Sequence, residues 1–157
     1  MSVGPVDRDE ATAEFFDAAA GGVFLLRRCP AGHWSEPPAA QCTTCGSTAL
    51  RWEAAAGGAT LVSWAVTWAA AEADPAGPGP ELAATVLVIA ELDEGPWWWS
   101  QLTAADPAGL AVGDRLVISF AAEPGHEPVP VFQHKHKPQP HSMITDDLPA
   151  PRPTNHP

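Results

Sequence analysis

Apolar and polar positions alternate along the middle of the chain, and this alternation predicts a β-strand over residues 59–68. A strand sends successive side chains to opposite faces, so its two faces are read from alternate positions. One predicted face carries Val62, Trp64, Val66 and Trp68, and the other carries Leu61, Ser63, Ala65 and Thr67. The chain after Gly58 is therefore expected to begin with a long, largely apolar strand.

Four more segments with strand character follow, and each is bounded by glycine, proline or acidic residues that favour turns. They cover residues 82–92, 97–103, 115–121 and 129–133. Between the third and fourth of the five strands, Asp106 can cap a short helical turn that begins at Pro107 and closes before Gly113. Five strands with a short helix in this position indicate an OB-fold barrel, because a plain five-stranded meander does not need that helix.

The start of the chain predicts a short amphipathic helix. Asp7 and Glu10 have the spacing of a capping box, and the glycine pair at 21–22 ends the apolar pattern. The apolar positions at helical spacing are Ala11, Phe15, Phe16 and Ala19. Two interpretations of Phe15 and Phe16 stay open: they are core residues, or they form a face that docks on a partner, because a leading helix has little of its own domain to lie against.

The segment between the helix and the barrel contains all three cysteines of the chain. Cys42 and Cys45 are separated by two residues and followed by Gly46, the spacing at which two thiolates converge on a tetrahedral zinc ion. Upstream, Cys29 has no second cysteine at that spacing, and the nearest other ligand type is His33. The sequence therefore predicts a zinc site formed by Cys29, His33, Cys42 and Cys45.

Two other interpretations of the cysteines stay open. They could be small buried apolar residues in a ribbon that has kept its shape without metal, with His33 at the surface. A disulfide is the weaker interpretation, because three is an odd number and the chain opens without a signal peptide, which indicates a reducing compartment. Strands expected at 23–28 and 50–53 frame the cysteine segment, and so small a ribbon needs a metal or a neighbouring domain to hold it together.

The charge balance restricts the partners that the chain can have. Lys and Arg number 8 against 19 Asp and Glu, which gives a formal charge of -11 at pH 7. This balance argues against nucleic acid as the main partner, since affinity for its backbone comes from contacts between cations and phosphates. The longest apolar run, residues 82–90, is far shorter than the roughly 20 residues that a helix needs to cross a bilayer. We expect a cytoplasmic protein with no membrane partner.

Three consecutive tryptophans form a candidate ligand or partner surface. In a strand, Trp97 and Trp99 point to one side and Trp98 to the other, so a barrel can bury one set but leaves the opposite set at its surface. The common outcome is one set in the core and the other as ordinary surface cover. The functional interpretation is an aromatic platform for an adenine ring or an acyl group, or a binding hot spot for a partner.

The C-terminal segment from residue 134 has no periodic pattern and contains six prolines, which predicts a tail that is disordered or docks on a partner. Three of its four histidines, His134, His136 and His141, lie close together at its start. They could bind metal, but no cysteine is spaced to complete a site, and solvated tail residues are the simpler interpretation.

In their order, these segments resemble a known protein family. The stretches that carry the resemblance are EFFDAAAGGVFLLRRC, then CTTCGS after a Pro-Pro pair, then ATLVSW, AELDEG, ADPAGLAVGDRL and VPVF. They are similar to the zinc-ribbon plus OB-fold accessory proteins of thiolase-like enzymes, long known only as a domain of unknown function. The resemblance covers roughly residues 10–133. It implies a mainly β protein with an N-terminal helix, a rubredoxin-like zinc ribbon and a C-terminal five-stranded OB-fold barrel, for which the expected ranges are 1–22, 23–55 and 56–133, followed by the tail 134–157.

The resemblance also implies a function. Members of this family are similar in acting as non-catalytic or co-catalytic subunits of thiolases, steroid side-chain aldolases or polyketide acyltransferases, and in helping to bind the coenzyme A part of the substrate. The chain is therefore expected to stabilise a thiolase-like catalytic subunit, in a heterotetramer built on the partner's dimer, and to share an acyl-CoA thioester with it. It departs from the family at Gly32, which stands where the second cysteine of the first knuckle is expected.

No catalytic centre is predicted within the chain itself. The three cysteines are used by the ribbon, and the sequence has neither a nucleophile elbow nor a phosphate-binding glycine loop ending in lysine. Two other classes of function stay open: a single-stranded nucleic-acid binder, which an OB-fold with aromatic platforms also suggests, and a free-standing acyl-CoA-binding protein. The acidic charge argues against the first of these.

Overall fold

The computed structural model describes residues 6–70, 82–103 and 106–135. The fold is mainly β, with one N-terminal helix, a three-stranded ribbon and a closed five-stranded barrel, which confirms the predicted fold class. The helix is α1 (Ala13–Ala20); the ribbon strands are β1 (Leu25–Arg28), β2 (Trp34–Ser35) and β3 (Arg51–Ala54); the barrel strands are β4 (Gly58–Ala70), β5 (Leu82–Leu92), β6 (Trp97–Leu102), β7 (Arg115–Ala121) and β8 (Val129–His134).

The barrel has the strand order β4-β5-β6-β8-β7 and closes where β7 pairs with β4. Strands β6 and β8 run parallel and pair at Leu102 and Phe132. All other neighbouring strands of the barrel are antiparallel. A 3-10 helix, Pro107–Gly109, lies between β6 and β7, and the Asp106 carboxylate accepts a hydrogen bond from the Ala108 N–H at 2.9 Å. This order and this helix are those of an OB-fold, as predicted.

The barrel interior is filled by alternate positions of its strands. The buried apolar residues of the barrel are Ala59, Leu61, Val86, Val88, Ala90, Leu92, Leu102, Leu116, Val131 and Phe132. Each larger side chain in this set contributes about 1.5–3 kcal/mol through its removal from water. Apart from Val131, these barrel residues pack in one cluster with Phe15 and Phe16 of the helix and with Phe24, Leu25 and Leu26 at the start of the ribbon.

The prediction that β4 keeps one strict alternation is wrong, because β4 contains a β-bulge. The pairing register with β5 shifts between Leu61 and Ser63, which leaves Val62 as the extra residue. Leu61 is fully buried before the bulge, and Trp64 and Val66 pack against the core after it. With a strict two-residue period, Leu61 and Trp64 would point to opposite faces of the strand. The extra residue at the bulge brings both side chains to the core face.

The helix is capped two residues later than predicted. Asp9 and Thr12, and not Asp7 and Glu10, make the reciprocal bonds of the cap: the Thr12 N–H donates to the Asp9 carboxylate at 2.8 Å, and the Asp9 N–H donates to the Thr12 hydroxyl at 2.9 Å. The hydrogen bond from the Thr12 hydroxyl lowers the pKa of Asp9. At the other end, Gly22 has a φ of 77° within a Schellman motif, so the predicted stop at the glycine pair is confirmed.

A chain of aromatic rings joins the helix, the ribbon and the barrel. The Phe15 ring lies 5.4 Å from that of Phe16, 5.8 Å from that of Phe24 and 5.9 Å from that of Trp52. Phe24 in turn meets Trp98 of the barrel edge-on at 5.4 Å. Phe15 and Phe16 are each only 7% exposed. Of the two interpretations that the sequence left open, the core one is correct, and these two rings do not offer a docking face.

Candidate metal centre

The first turn of the ribbon follows β1 and carries two of the predicted ligands. The Cys29 N–H donates to the His33 carbonyl at 3.0 Å, and the Gly32 N–H donates to the Cys29 carbonyl at 2.9 Å. Gly32 has a φ of 88°, a left-handed conformation that is strained for any residue with a side chain. A cysteine at position 32 would carry this strain, and the second candidate ligand of the turn is instead His33.

The second turn repeats this arrangement around Cys42 and Cys45. The Gly46 N–H donates to the Cys42 carbonyl at 2.8 Å, and Gly46 has a φ of 69°. The N–H of Cys45 bonds to the Cys42 sulfur and, against the effect of burial, lowers the pKa of Cys42 to about 6. The hydrogen bond from the Ser47 N–H lowers the pKa of Cys45. The Cys42 sulfur, burial and Cys29 raise it by more, so the pKa of Cys45 is raised overall. The turn therefore favours the thiolate first at Cys42, the form that binds a metal.

The distances within the cluster fit a tetrahedral zinc ion. The Nδ1 atom of His33 lies 3.5 Å from the Cys29 Sγ and 3.8 Å from the Cys42 Sγ, and the Sγ atoms of Cys29 and Cys45 are 3.8 Å apart. All four ligand atoms lie within 4.8 Å of one another. With zinc–sulfur bonds of about 2.3 Å and a zinc–nitrogen bond of about 2.0 Å, tetrahedral ligands are separated by roughly 3.5–3.8 Å. The sequence-predicted residues are thus brought together in a set that is compatible with zinc, with Nδ1 as the facing atom of the histidine.

Arg28, which was not among the predicted site residues, stabilises the first turn by a hydrogen bond to its backbone. Arg28 precedes Cys29 directly, and its Nε donates to the Gly32 carbonyl at 3.3 Å. Its guanidinium group also forms an ion pair with Glu53 of β3 and lies 4.7 Å from the centre of the Trp34 ring. The hydrogen bond from Arg28 lowers the pKa of Glu53. Since Glu53 lies 25 residues away from Arg28 in the sequence, this ion pair could not be read from local spacing.

The tryptophan run divides as predicted. Trp97 and Trp99 are 55% and 71% exposed, whereas Trp98 is half-buried against Phe24. The indole N–H of Trp98 is buried and finds no hydrogen-bond partner among the residues that the structure describes. Trp98 therefore joins the barrel to the ribbon, and its two neighbours remain at the surface.

Beside Trp99, the outer faces of β4 and β5 form a shallow apolar groove of about 250 Å³. Its floor consists of the small residues Ser63 and Ala65, and its wall includes Leu87 and Ile89, which are also partly exposed. The groove has no charged lining residue. Together with the exposed rings of β6 it forms an apolar outer face on the barrel.

A second, larger cavity lies between the ribbon and the barrel. It has a volume of about 460 Å³, and its apolar lining includes Phe24 and Phe120. Two cations, Arg115 and Lys135, also line it. The Arg115 guanidinium is held by Asp93 at 2.8 Å, and this contact lowers the pKa of Asp93. The cavity thus combines apolar walls with two positive groups and with the Asp93 carboxylate, which is paired with Arg115.

The predicted C-terminal tail begins later than expected. His134 is the last residue of β8 and pairs with Leu116 of β7, so its assignment to the tail is wrong. His136 and His141, with the rest of the predicted tail, lie outside the described residues. Within the described residues, Cys29, His33, Cys42 and Cys45 are the one cluster of metal-binding side chains. No helix in these same ranges has the length and apolar character to span a membrane.

The chain thus combines an N-terminal helix, a three-stranded ribbon whose Cys/His cluster is consistent with a zinc ribbon, and an OB-fold barrel. No protein-family model matches the sequence, and no curated protein matches it. A solved structure described as an Ltp2-ChsH2(DUF35) aldolase is similar, with 26% sequence identity and a TM-score of 0.61. The match covers 84% of this chain and 98% of that chain. This neighbour agrees with the family resemblance that the sequence carries.

Proposed function

We propose that the chain is the accessory subunit of a thiolase-like enzyme complex in acyl-CoA metabolism. The observation that carries the proposal is the match to a chain of an aldolase structure, which extends over 98% of that chain and 84% of this one. A match of this extent cannot rest on the barrel alone. The similarity therefore includes the way in which ribbon and barrel are combined.

The chemistry of the described residues supports a non-catalytic role. A thiolase-type reaction needs an unligated cysteine of low pKa and a histidine base. All three cysteines of this chain lie in the metal centre. The nucleophile is therefore expected to come from the catalytic partner, and this chain is expected to stabilise that partner and to complete its substrate site.

The apolar outer face is the docking surface within this proposal. Trp97 and Trp99 are the largest exposed side chains there, and tryptophans of this exposure are typical hot spots of protein interfaces. Phe15 and Phe16 are not part of this surface, because both are buried. Two copies bound to a dimeric partner would give the heterotetramer that the resemblance implies, in the cytoplasm, where thiols stay reduced.

The cavity between ribbon and barrel is the place where this subunit would contact the coenzyme A thioester. Its volume of about 460 Å³ lies within the range of small-molecule sites. Apolar walls at Phe24 and Phe120 suit an acyl or pantetheine chain, and Arg115 and Lys135 suit a phosphate. Titration calorimetry with coenzyme A tests this assignment, since Lys135→Ala is expected to weaken binding while Arg51→Ala, on the exposed side of the ribbon, is not.

The experiment that tests the main proposal is co-expression with a thiolase-like enzyme from the same genome. We expect the two proteins to co-elute at micromolar concentration. Replacing Trp97 and Trp99 by serine is expected to weaken the complex at least about tenfold, whereas Val112→Ser, at an equally exposed apolar position, is expected to leave it intact. Deletion of residues 136–157, which spares β8, is expected to weaken it as well. Separate elution of the two proteins, or turnover of an acyl-CoA by this chain alone, contradicts the proposal.

A further inference from the structure

One long edge of β4 has no strand against it in the described part of the chain. β4 spans 13 residues and pairs with β5 along nearly all of them. On its other side, β7 pairs only with Gly58, Ala59 and Thr60, and the backbone of Leu61 is bonded to the turn that precedes β7. From residue 62 to residue 70, the backbone groups on this side have no hydrogen-bond partner among the described residues.

Beyond the bulge at Val62, this edge lacks the charged residues and prolines that protect many edge strands. Edge strands are usually short, or carry lysine, proline or inward-pointing charges, because unpaired backbone groups are a template for another strand. Residues 62–70 read VSWAVTWAA and contain neither a charged residue nor a proline. They span about 30 Å of extended chain. The edge is therefore suited to pairing with a further strand.

The edge sequence is close to symmetric about Val66. Ala65 and Thr67 flank this residue, and Trp64 and Trp68 come next on either side. In an antiparallel pair related by a two-fold axis at Val66, Trp64 of one copy faces Trp68 of the other, and Ala65 faces Thr67. Trp68 is 63% exposed, so its ring is available for such a contact. Aromatic cross-strand pairs stabilise a sheet, and no like charges oppose each other here.

We propose that β4 pairs with β4 of a second copy of this chain, antiparallel and centred on Val66, to form a symmetric dimer. The two β4-β5 hairpins then form one continuous sheet, and each copy provides the same surface to the other. The pairing gives partners to the backbone groups of residues 62–70. This dimer does not depend on the thiolase-like partner, so the failure of either proposal leaves the other standing.

Light scattering after size exclusion of the full chain, at concentrations up to about 100 μM, is the first measurement. We expect the mass of two chains. Ala65 and Thr67 are both exposed, so lysines there change the edge without changing the barrel interior. In the double variant A65K/T67K, like charges oppose each other twice across the axis, which is expected to raise the dimer dissociation constant about tenfold or more.

The charge-reversed variant A65E/T67E is expected to be equally monomeric, and an equimolar mixture of the two variants is expected to recover the dimer. The matched control A20K/A122K adds the same charge at two exposed positions away from β4 and is expected to remain dimeric. Amide hydrogen exchange at residues 62–70 is expected to slow as the concentration of the wild type rises.

Four outcomes overturn the proposal. If the wild type is monomeric at every concentration, the proposed dimer does not form. An A65K/T67K variant that dimerises as well as the wild type places the interface elsewhere. A mixture of the two charge variants that stays monomeric rejects the register centred on Val66. A monomeric chain that becomes dimeric when residues 136–157 are deleted shows that the chain's own C-terminal segment occupies the edge.

Discussion

Replacing His33 by alanine tests the predicted ligand set at its least usual member. The histidine supplies one of four ligand atoms, and its Nδ1 lies 3.5 Å from the Cys29 sulfur. Structural zinc sites with four ligands bind with about 10–16 kcal/mol. One ligand of four therefore accounts for roughly 3 kcal/mol, which corresponds to a zinc affinity about 100-fold weaker.

The assay is competition for zinc against a chromogenic chelator at pH 7, with elemental analysis for stoichiometry. Wild-type protein is expected to contain about one zinc per chain. His33→Cys is the matched control, because a thiolate at this position can still reach the centre of the cluster, and it is expected to keep most of the affinity. In the variant H33A/G32C the new cysteine is expected not to restore binding, because residue 32 has a φ of 88° that is strained for cysteine.

Two results would refute this reasoning. If His33→Ala leaves the zinc content and the affinity unchanged, the fourth ligand is not His33. If the wild type contains less than about a tenth of an equivalent and a chelator does not alter the ribbon, the cluster is not a zinc site. In either case the barrel is expected to stay folded, because ten of its buried apolar residues come from its own strands.

Three further predictions concern stability and binding. Gly58→Ala places a methyl group against the Asp93 carboxylate and is expected to lower the free energy of unfolding in urea by about 1–3 kcal/mol. The control Gly109→Ala, whose methyl group meets nothing within 4 Å, is expected to change this free energy little. Equal effects of the two substitutions would contradict the packing described at Gly58. Phe15→Ala is expected to lower the free energy of unfolding by about 3–5 kcal/mol. The control Val23→Ala, at an exposed position, is expected to leave the free energy of unfolding almost unchanged. A loss below about 1 kcal/mol for Phe15→Ala would show that the chain of aromatic rings is not part of the core. Single-stranded oligonucleotides are expected not to bind at physiological salt, given the charge of -11, and a submicromolar complex by fluorescence anisotropy would reverse that expectation.

The barrel was predictable because its signals are local. The strand at residues 115–121 has the bounds expected from its pattern, and the turn at Asp106 and Pro107 follows from the preferences of those two residues. The bulge in β4 was missed although the sequence contains a sign of it. Leu61 and Trp64 are both apolar but three residues apart, so a single alternation could not bury both. The cap was misplaced because Asp9 and Thr12 have the same spacing as Asp7 and Glu10.

The ligand set of the metal centre followed from residue type and spacing, but its support did not. The contact of Arg28 with Glu53 depends on how β1 pairs with β3, which is a non-local property. The buried state of Phe15 depends in the same way on Phe24 and Trp52. A helical pattern identifies an apolar face, but it does not say which surface will cover that face.

The chain of aromatic rings also fixes the base of the ribbon against the barrel. The ribbon and the barrel are separate sheets with no strand in common, and the ring contact between Phe24 and Trp98 lies at the start of β1 while Cys29 lies just beyond its end. The arm from this pivot to the metal turns is about 14–17 Å long. A swing of about 10° at the pivot would carry the metal turns through an arc of about 2–3 Å. Phe24 also lines the adjoining cavity, so a ligand bound there would contact the ring at the base of the arm that carries the metal turns.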